Sequence, residues 1–327
     1  MKTWSTWLRA GALAVAAGAV GLGAAAEGGY PNKPIRLVVP YAAGGGLDGI
    51  TRIVAQAMGE GLGQSLVVDN KAGGGGMIGA ETVAKAAPDG YTLLMAGNPE
   101  LVINPVLSPA VRYQVTRDFT PIMLVAESPN VLAAHPAVKG TLAELLDARG
   151  DAGPLTIGTP GQGSPQHLAI ASLGSFAKAS LVHVPYKGAG PAVVDALGGQ
   201  TRLVLVGAPA VLPYTRSGKL RALAVTQPTR SSLAPDIPTV EEATGVKDLG
   251  QYTTWYGLLA PAGTPAATVQ LLQKNIAAVL ARPDIRAKLN EMGTEVVALP
   301  GAAFAERIKA DLARNEQVIK RFNIRAE

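Results

Sequence analysis

The sequence has no cysteine. That excludes a disulfide scaffold, thiol catalysis, a cysteine-ligated zinc or iron–sulfur site and a lipid anchor on an N-terminal cysteine. Aromatic residues are scarce, at 5%, and basic residues never form a run. The stacking platforms and charged stripes of a nucleic-acid binder are therefore missing, and no nucleic-acid partner is expected. Charge is also sparse, with 16% charged against 48% hydrophobic residues, a balance too apolar for a disordered chain. The three histidines, His135, His167 and His183, are widely spaced and lack carboxylates at ligand spacing, which argues against a metal site. Ser164 and His167 lie one helical turn apart, but no G-x-S-x-G elbow surrounds the serine, which disfavours a serine hydrolase. No catalytic group, cofactor or metal is expected.

What the sequence does have is length, glycine and a modest positive charge. Its 327 residues are enough for about two domains of roughly 150 residues each. The 29 basic and 24 acidic residues give +5, part of which sits at the amino terminus. Lys2 and Arg9 precede the small apolar stretch Gly11 to Ala25, and Ala24-Ala25-Ala26 fits the small-x-small cleavage rule. Residues 1–26 therefore read as a secretory signal peptide, too short and too rich in alanine and glycine for a spanning helix of about 20 apolar residues. Without it 27 basic residues face 24 acidic ones. A nearly neutral, exported, soluble protein is expected.

Strands and helices alternate along the rest. Ile35 to Val39 is a β-branched run, followed by the turn Ala42-Ala43-Gly44-Gly45-Gly46 and a helical face of Ile50, Ile53, Val54, Ala57 and Met58. The unit recurs: Leu66 to Val68 leads into Gly73 to Gly76, a helix with Ile78, Val83 and Ala84, and the strand Tyr91 to Met95. Parallel βαβ architecture follows. Further strands are expected at 122–126, 155–158, 181–184, 203–206, 221–226 and 255–260, too many for one small sheet. Thr264-Pro265 opens a helix with Val269, Leu272, Ile276 and Val279 inward, and Phe304, Ile308, Leu312 and Ile319 mark another.

Gly44-x-Gly46-x-x-Gly49 follows a strand, opens a helix, and has Asp69 at the end of the next strand, as the dinucleotide fingerprint requires. An NAD enzyme is nevertheless disfavoured. Gly74-x-Gly76-x-x-Gly79 repeats the string without the acid, and Asp48 would repel a pyrophosphate. The physics of the turn outlives that reading: glycine lets backbone N–H groups approach a ligand, and a helix start attracts an anion, carboxylate or phosphate alike. The plainer alternative is a tight turn with Asp48 as N-cap. A similar turn, Thr159-Pro160-Gly161-Gln162-Gly163-Ser164, follows the strand at 155–158, with Ser164 a natural N-cap and possible anion donor. His183 is expected at a strand edge or in a crossover, and Trp255 and Tyr256 in core or cleft wall.

A family resemblance runs through nearly the whole mature chain. The string Tyr30-Pro31-x-Lys33-Pro34-Ile35-Arg36-Leu37-Val38-Val39-Pro40-Tyr41, with its glycine turn and Asp48, resembles the start of the periplasmic solute receptors of tripartite tricarboxylate transporters, the Bug or TctC-like family. Pro88-Asp89-Gly90-Tyr91-Thr92-Leu93-Leu94, Arg117-Asp118-Phe119-Thr120-Pro121-Ile122, His183-Val184-Pro185-Tyr186-Lys187-Gly188, the segment Gly218 to Thr226 and Pro261-Ala262-Gly263-Thr264-Pro265 agree in order and spacing.

The resemblance implies an α/β, type II periplasmic-binding-protein fold, two α/β domains joined by two crossovers with the ligand in the cleft. The expected division is residues 27–127 with 253–327 as the first, discontinuous domain and 128–252 as the second. It further implies that Tyr41, Ala42, Ala43, Gly44, Gly45 and Asp48 line one wall and Gly161, Gly163, Ser164 and His167 the other. Asn98, Pro99 and Glu100 would face the far end of the ligand, and Gly207 and Ala208 stand where amino-acid-binding members carry an acidic or amide side chain. The expected function is capture of a small organic carboxylate and its delivery to the permease subunits of such a transporter; a sensor feeding a signalling receptor would use the same cleft. A monomer is expected, as is usual for receptors of this fold.

Departures from the family pattern narrow the ligand. Ala43 stands where members often have proline, and Leu47 replaces a hydroxyl donor. No counter-charge accompanies Gly207 and Ala208, and burying an ammonium unpaired costs several kcal/mol. A dicarboxylate or an aromatic carboxylate, using the apolar Leu47 and Val206, is expected instead of an amino acid. Glu100 would either repel a second carboxylate or point to solvent.

Overall fold

Short apolar runs rich in β-branched residues, most of them followed by glycine or proline and then a helix, set the architecture. The computed structural model describes residues 29–147, 153–176, 180–247 and 252–325, and the signal peptide expected at 1–26 lies outside them. The chain opens with β1 (Ile35–Val39), α1 (Gly46–Leu62), β2 (Leu66–Asn70), α2 (Met77–Ala84), β3 (Thr92–Gly97), α3 (Asn104–Leu107), α4 (Val115–Asp118) and β4 (Phe119–Ser128). It continues as β5 (Asn130–Ala134), α5 (Leu142–Asp147), β6 (Leu155–Thr159), α6 (Pro165–Phe176), β7 (Leu181–Pro185), α7 (Ala189–Leu197), β8 (Leu203–Gly207), α8 (Ala208–Arg216), β9 (Arg221–Val225) and α9 (Val240–Thr244). β10 (Thr254–Pro261), α10 (Ala266–Ala281), α11 (Pro283–Glu291), β11 (Glu295–Pro300) and α12 (Gly301–Arg321) complete it.

Among the described residues these strands form two sheets, ordered β11-β4-β10-β3-β1-β2 and β7-β6-β8-β5-β9. Both are covered on two faces, which is why the strands read as nearly continuous apolar runs. Ile35, Leu37 and Val39 pack with Ile50, Val54 and Met58 of α1 and Leu272 and Ile276 of α10. Val38 turns the other way, onto Ala80 and Val83 of α2. In the second sheet Leu132, Ile157, Leu203 and Leu205 share a core with Leu168 and Leu173 of α6, and Val131, Val204 and Val206 one with α7 and α8.

Both sheets are mixed where a parallel architecture was expected, the first because β10 runs antiparallel to β3 and β4, and two strands were not anticipated. β5 is central in its sheet, antiparallel to β8 and β9. Its five residues sit between Pro129 and His135-Pro136, so the sequence shows no alternation long enough to read. β11 is an edge strand against β4, with a register shift and Ala298 at φ 53°. Its irregularity hides it.

The chain passes between the sheets twice. Ser128 ends β4, Asn130 opens β5, and the return runs through Tyr252 and Thr253 into β10. Register places Thr254 opposite Ser128 and Asn130 opposite Gly207, so both crossings lie side by side at one edge of each sheet. Asparagines from each sheet hold the returning backbone. Asn98 donates to the Thr253 carbonyl and accepts from Trp255 N–H at 2.7 Å. Asn130 donates to the Tyr252 carbonyl, and its Oδ1 accepts from Gln166 at 2.7 Å and Thr254 at 3.2 Å. Trp255 is wholly buried in the core, edge-on to Phe304, with its indole N–H on Asp311 at 2.9 Å.

Removing the Asn130 amide takes from Gln166 its 2.7 Å acceptor and from the Tyr252 carbonyl one of its two donors, Thr226 being the other, in a buried site. Asn130→Ala is expected to cost about 2 kcal/mol, read as a lowered urea midpoint with an unchanged slope; a cost within about 0.5 kcal/mol, the range of an ordinary surface change, would show that the crossing does not depend on it.

Candidate functional site

Strand direction decides which loops meet. β1 pairs in parallel with β2 and β3, so the segments after Val39, Asn70 and Gly97 emerge at one edge. β6 pairs in parallel with β7 and β8, bringing together the segments after Thr159, Pro185 and Gly207. These are the carboxyl edges at which the crossings run. β1 has its partners on opposite sides, as does β6, so each sheet presents the switch point where ligands of open α/β folds sit.

On the first edge, Ala42 to Gly46 are exposed. α1 begins at Gly46 with Gly45 as its N-cap and no side-chain cap. Asp48 is therefore not the N-cap; it lies in the first turn and reaches back to accept from Gly44 N–H at 2.9 Å. Asp48 is itself buried, and Arg52 at 3.0 Å and Asn70 at 3.0 Å complete its partners. The Arg52 hydrogen bond, outweighing desolvation and aided by Gly44 and Asn70, holds the carboxyl down at about 2. Asn70 also donates to the Tyr41 carbonyl. Asp48 thus braces the loop from behind. Of the N–H groups from Ala42 to Gly46 only that of Gly44 is spent, on Asp48; those of Ala42, Ala43, Gly45 and Gly46 meet no acceptor among the described residues, and they stand at the positive end of a 17-residue helix.

The segment after β3 makes a π-helical turn over Pro99–Ile103. Asn98 faces the crossing, as described. Glu100 does not point to solvent: its side chain is fully buried, accepting from Tyr41 Oη at 2.7 Å and from Gly97 N–H. Gly76, at φ +92°, lets it fit, because a Cβ there would come within 2.9 Å of Glu100 Oε2. Desolvation raises the Glu100 carboxyl to about 7 against the opposing pull of those two hydrogen bonds.

On the second edge, Ser164 caps α6 as expected, its Oγ accepting from His167 N–H at 3.1 Å and donating to the Gly161 carbonyl at 2.7 Å. Gly161 and Gly163 have φ of 146° and 69°. Gly163 donates to His167 Nδ1 at 3.1 Å, which places the His167 ring proton on Nε2. His183, on the edge strand β7, stacks on His167 with ring centroids 3.9 Å apart and holds Thr159 Oγ1 through Nε2 at 2.6 Å. Burial lowers both rings to about 4, with His183 adding to the shift at His167. A cavity of about 440 Å³ opens beside the pair, lined also by Phe322 and Ile324. A larger one, about 990 Å³ between α8, β9 and the 233–237 loop, lies away from these turns, so size alone does not locate the site.

Gly207 stands opposite Asn130, and Ala208 N–H donates to the Pro129 carbonyl, placing both at the crossing. The apolar contact assigned to Leu47 and Val206 is overturned: both side chains pack into cores, with Ile50 and with Val131 respectively. Their neighbours on a helix and a strand face inward at those positions, which a turn-centred reading overlooks. Arg52, Asn70, Asn130 and Gln166 were not anticipated: the last three are polar residues marked only by their place at an element end, and Arg52 only by its i,i+4 spacing from Asp48.

A family model described as tripartite tricarboxylate transporter family receptor matches residues 50–324. BugT of Bordetella pertussis is 36% identical over 83% of this chain and 84% of its own. Among solved structures, the periplasmic binding protein BugD superposes with TM-score 0.73 at 32% identity, over 91% of this chain and all of BugD. An R. palustris protein with adipate gives 0.76 at 30% identity over 90% and 99% of the two chains, and MatC from Rhodopseudomonas palustris with bound malate 0.72 at 30% over 89% and 100%.

The histidine pair generates a pH prediction. A folded midpoint near 4, below the ordinary 6.5, means that the neutral rings favour the fold above about pH 6.5 and that this contribution is lost as pH falls through about 4. Imidazole proton shifts should titrate near 4 for both rings. Thermal midpoints should fall over that interval, and fall less in the His167→Gln/His183→Gln double variant; ring midpoints at 6.5 would refute the stacked, desolvated pair.

Proposed function

The chain belongs to the tripartite tricarboxylate transporter receptor family, a family of periplasmic solute-binding proteins and not of enzymes, and from that premise we propose that it captures a small organic dicarboxylate lacking an amino group. The bound acid lies between the turn at 41–46 and the turn at 159–164, and the loaded receptor delivers it to the membrane permease of such a transporter. The observation that carries this reading is the row of exposed, unsatisfied N–H groups at Ala42, Ala43, Gly45 and Gly46, a set of donors for a carboxylate at an uncapped helix start.

Two further features support the ligand class. The acidic side chains among these loops are already engaged, Asp48 by Arg52, Gly44 and Asn70, and Glu100 by Tyr41 and Gly97, so an ammonium finds no free counter-charge there. The related proteins with adipate and malate hold acids of this kind. With Leu47 and Val206 committed to cores, an aromatic acid has less to favour it than a dicarboxylate.

Closure is part of this proposal. Residues 27–127 with 253–327 form one body and 128–252 the other, and they rotate about Ser128–Asn130 and Tyr252–Thr254. A ligand touching both edges stabilises the closed arrangement by its extra contacts there.

A thermal-shift panel of adipate, malate, succinate, benzoate, glutamate and aspartate tests the ligand class. At about 100-fold excess over Kd a true ligand adds about 2.7 kcal/mol, a rise of a few degrees for a protein of this size. Dicarboxylates should give it; stabilisation by glutamate or aspartate alone would overturn the assignment. Delivery is tested by deleting the gene: loss of uptake of the stabilising acid is expected, whereas intact uptake with a lost transcriptional response would identify a sensor.

A further inference from the structure

Glu100 is an acidic side chain buried without a cation. Among the described residues no lysine, arginine or histidine pairs with it, and its own segment and the loops around it present only Tyr41, Tyr113 and Tyr256 as titratable neighbours, with Glu81 behind Tyr113. Tyr113 donates to the Glu100 backbone carbonyl, so its hydroxyl is occupied. Tyr41 is different. The residue is half-buried against the core, its backbone opens the glycine turn, and its hydroxyl, itself deep, donates inward to Glu100 Oε2 at 2.7 Å.

We propose that Glu100 is a proton-operated specificity residue that decides whether the Tyr41 hydroxyl faces inward or toward the ligand. With Glu100 ionised, the carboxylate is an acceptor only, and the Tyr41 O–H is held by it. When Glu100 takes one proton from solution, the new acid O–H donates to Tyr41 Oη. The phenolic proton then swings in the ring plane to the other side, where it donates to a carboxylate at the Ala42–Gly46 turn. One proton enters, no bond between heavy atoms changes, and the buried negative charge that would oppose an anionic ligand is gone. Capture of the acid is thereby coupled to proton uptake. This rests on the receptor reading above.

Two features agree with it. Desolvation raises the Glu100 carboxyl to about 7, where the switch responds to ordinary changes of pH, while burial and the neighbouring carboxylate push the Tyr41 hydroxyl well up, so it stays a donor throughout. Glutamine at position 100 is the isostere of the protonated acid: its Nε2 donates to Tyr41 and its Oε1 still accepts from Gly97.

The test has two arms. Without ligand, infrared difference spectra of the wild type should show a protonated-carboxyl band growing as pH falls through about 7, absent from Glu100→Gln and retained in Tyr41→Phe. With adipate as probe, calorimetry over about pH 6.5 to about pH 8.5 should show wild-type affinity weakening by about tenfold, with up to one proton taken up per acid bound. Glu100→Gln should bind at the acid-side affinity at every pH with no proton uptake, and Tyr41→Phe should bind weakly throughout. No Glu100-dependent band near neutrality overturns the proposal, as does a wild-type affinity that follows pH no more than that of Glu100→Gln. A normal band together with no binding of any acid in the panel sinks the receptor reading, and with it the ligand half of the proposal.

Discussion

Everything at the site depends on how the backbone of Tyr252 and Thr253 is held while it crosses from one sheet to the other. Backbone amides at a crossing cannot join either ladder, and burying them unpaired is costly. The chain solves this with side-chain amides from both sides. Asn98, at the end of β3, takes the Thr253 carbonyl and the Trp255 N–H, while Asn130, at the start of β5, takes the Tyr252 carbonyl and is braced by Gln166. Thr226 adds a second donor to Tyr252. Because Asn98 immediately precedes the Glu100 turn and Gln166 sits in the first turn of α6 beside His167, the knot that ties the sheets also aims the loops. Glu295 of β11 reinforces it at a distance, accepting from Gln227, Ser231 and Ser232 of the other sheet's loops.

Within that frame the two acidic residues of the first wall reach opposite electrostatic solutions. Asp48 is buried yet held far below its usual range because Arg52, Gly44 and Asn70 all donate to it, so it is a permanent structural anion. Glu100 has two donors and no cation, and desolvation wins, leaving it near neutrality. The difference arises from position. Asp48 lies on a helix whose next turn carries Arg52 on the same face, an i,i+4 pair, whereas Glu100 lies in a turn enclosed by Gly76, Tyr41 and Gly97 with no room for a basic side chain.

Much of the frame was legible because it is written in local chemistry. β1 follows from a run rich in β-branched residues, Ile35, Val38 and Val39, α6 from Ser164 and Pro165 at its start, and α10 from Thr264-Pro265, each signal contained within a few residues. β5 and β11 were not legible: one is a five-residue central strand defined only by its neighbours, the other an edge with a left-handed Ala298. At the site, the glycine turns announced themselves, since few residues tolerate φ of 69° or 84° as Gly163 and Gly44 do. What those turns are tied to did not. Gly44, Arg52 and Gly97 are local partners, but Asn70 on Asp48 and Tyr41 on Glu100 are 22 and 59 residues away in sequence, and nothing local in Leu47 distinguishes a cleft residue from the core residue it is.

A wall made of backbone N–H groups has a consequence that a wall of lysines would not. Each amide contributes only about 1 kcal/mol net to an acceptor, more when the acceptor is charged. On the proposed binding mode the four open amides of the first turn therefore hold a carboxylate loosely by themselves. On the opposite turn Gly163 N–H is spent on His167 and Gly161 N–H faces Thr159, so that edge adds contacts only if the ligand competes with or displaces those internal partners. In the proposed function, tight capture then requires both edges together, and the free energy that closes the cleft is the part gained only in the closed arrangement. A fixed cation would bind the acid nearly as well with the halves apart and would leave little to drive them together. Neutral, glycine-built walls keep affinity conditional on shape, which is what a receptor that must later release its ligand needs.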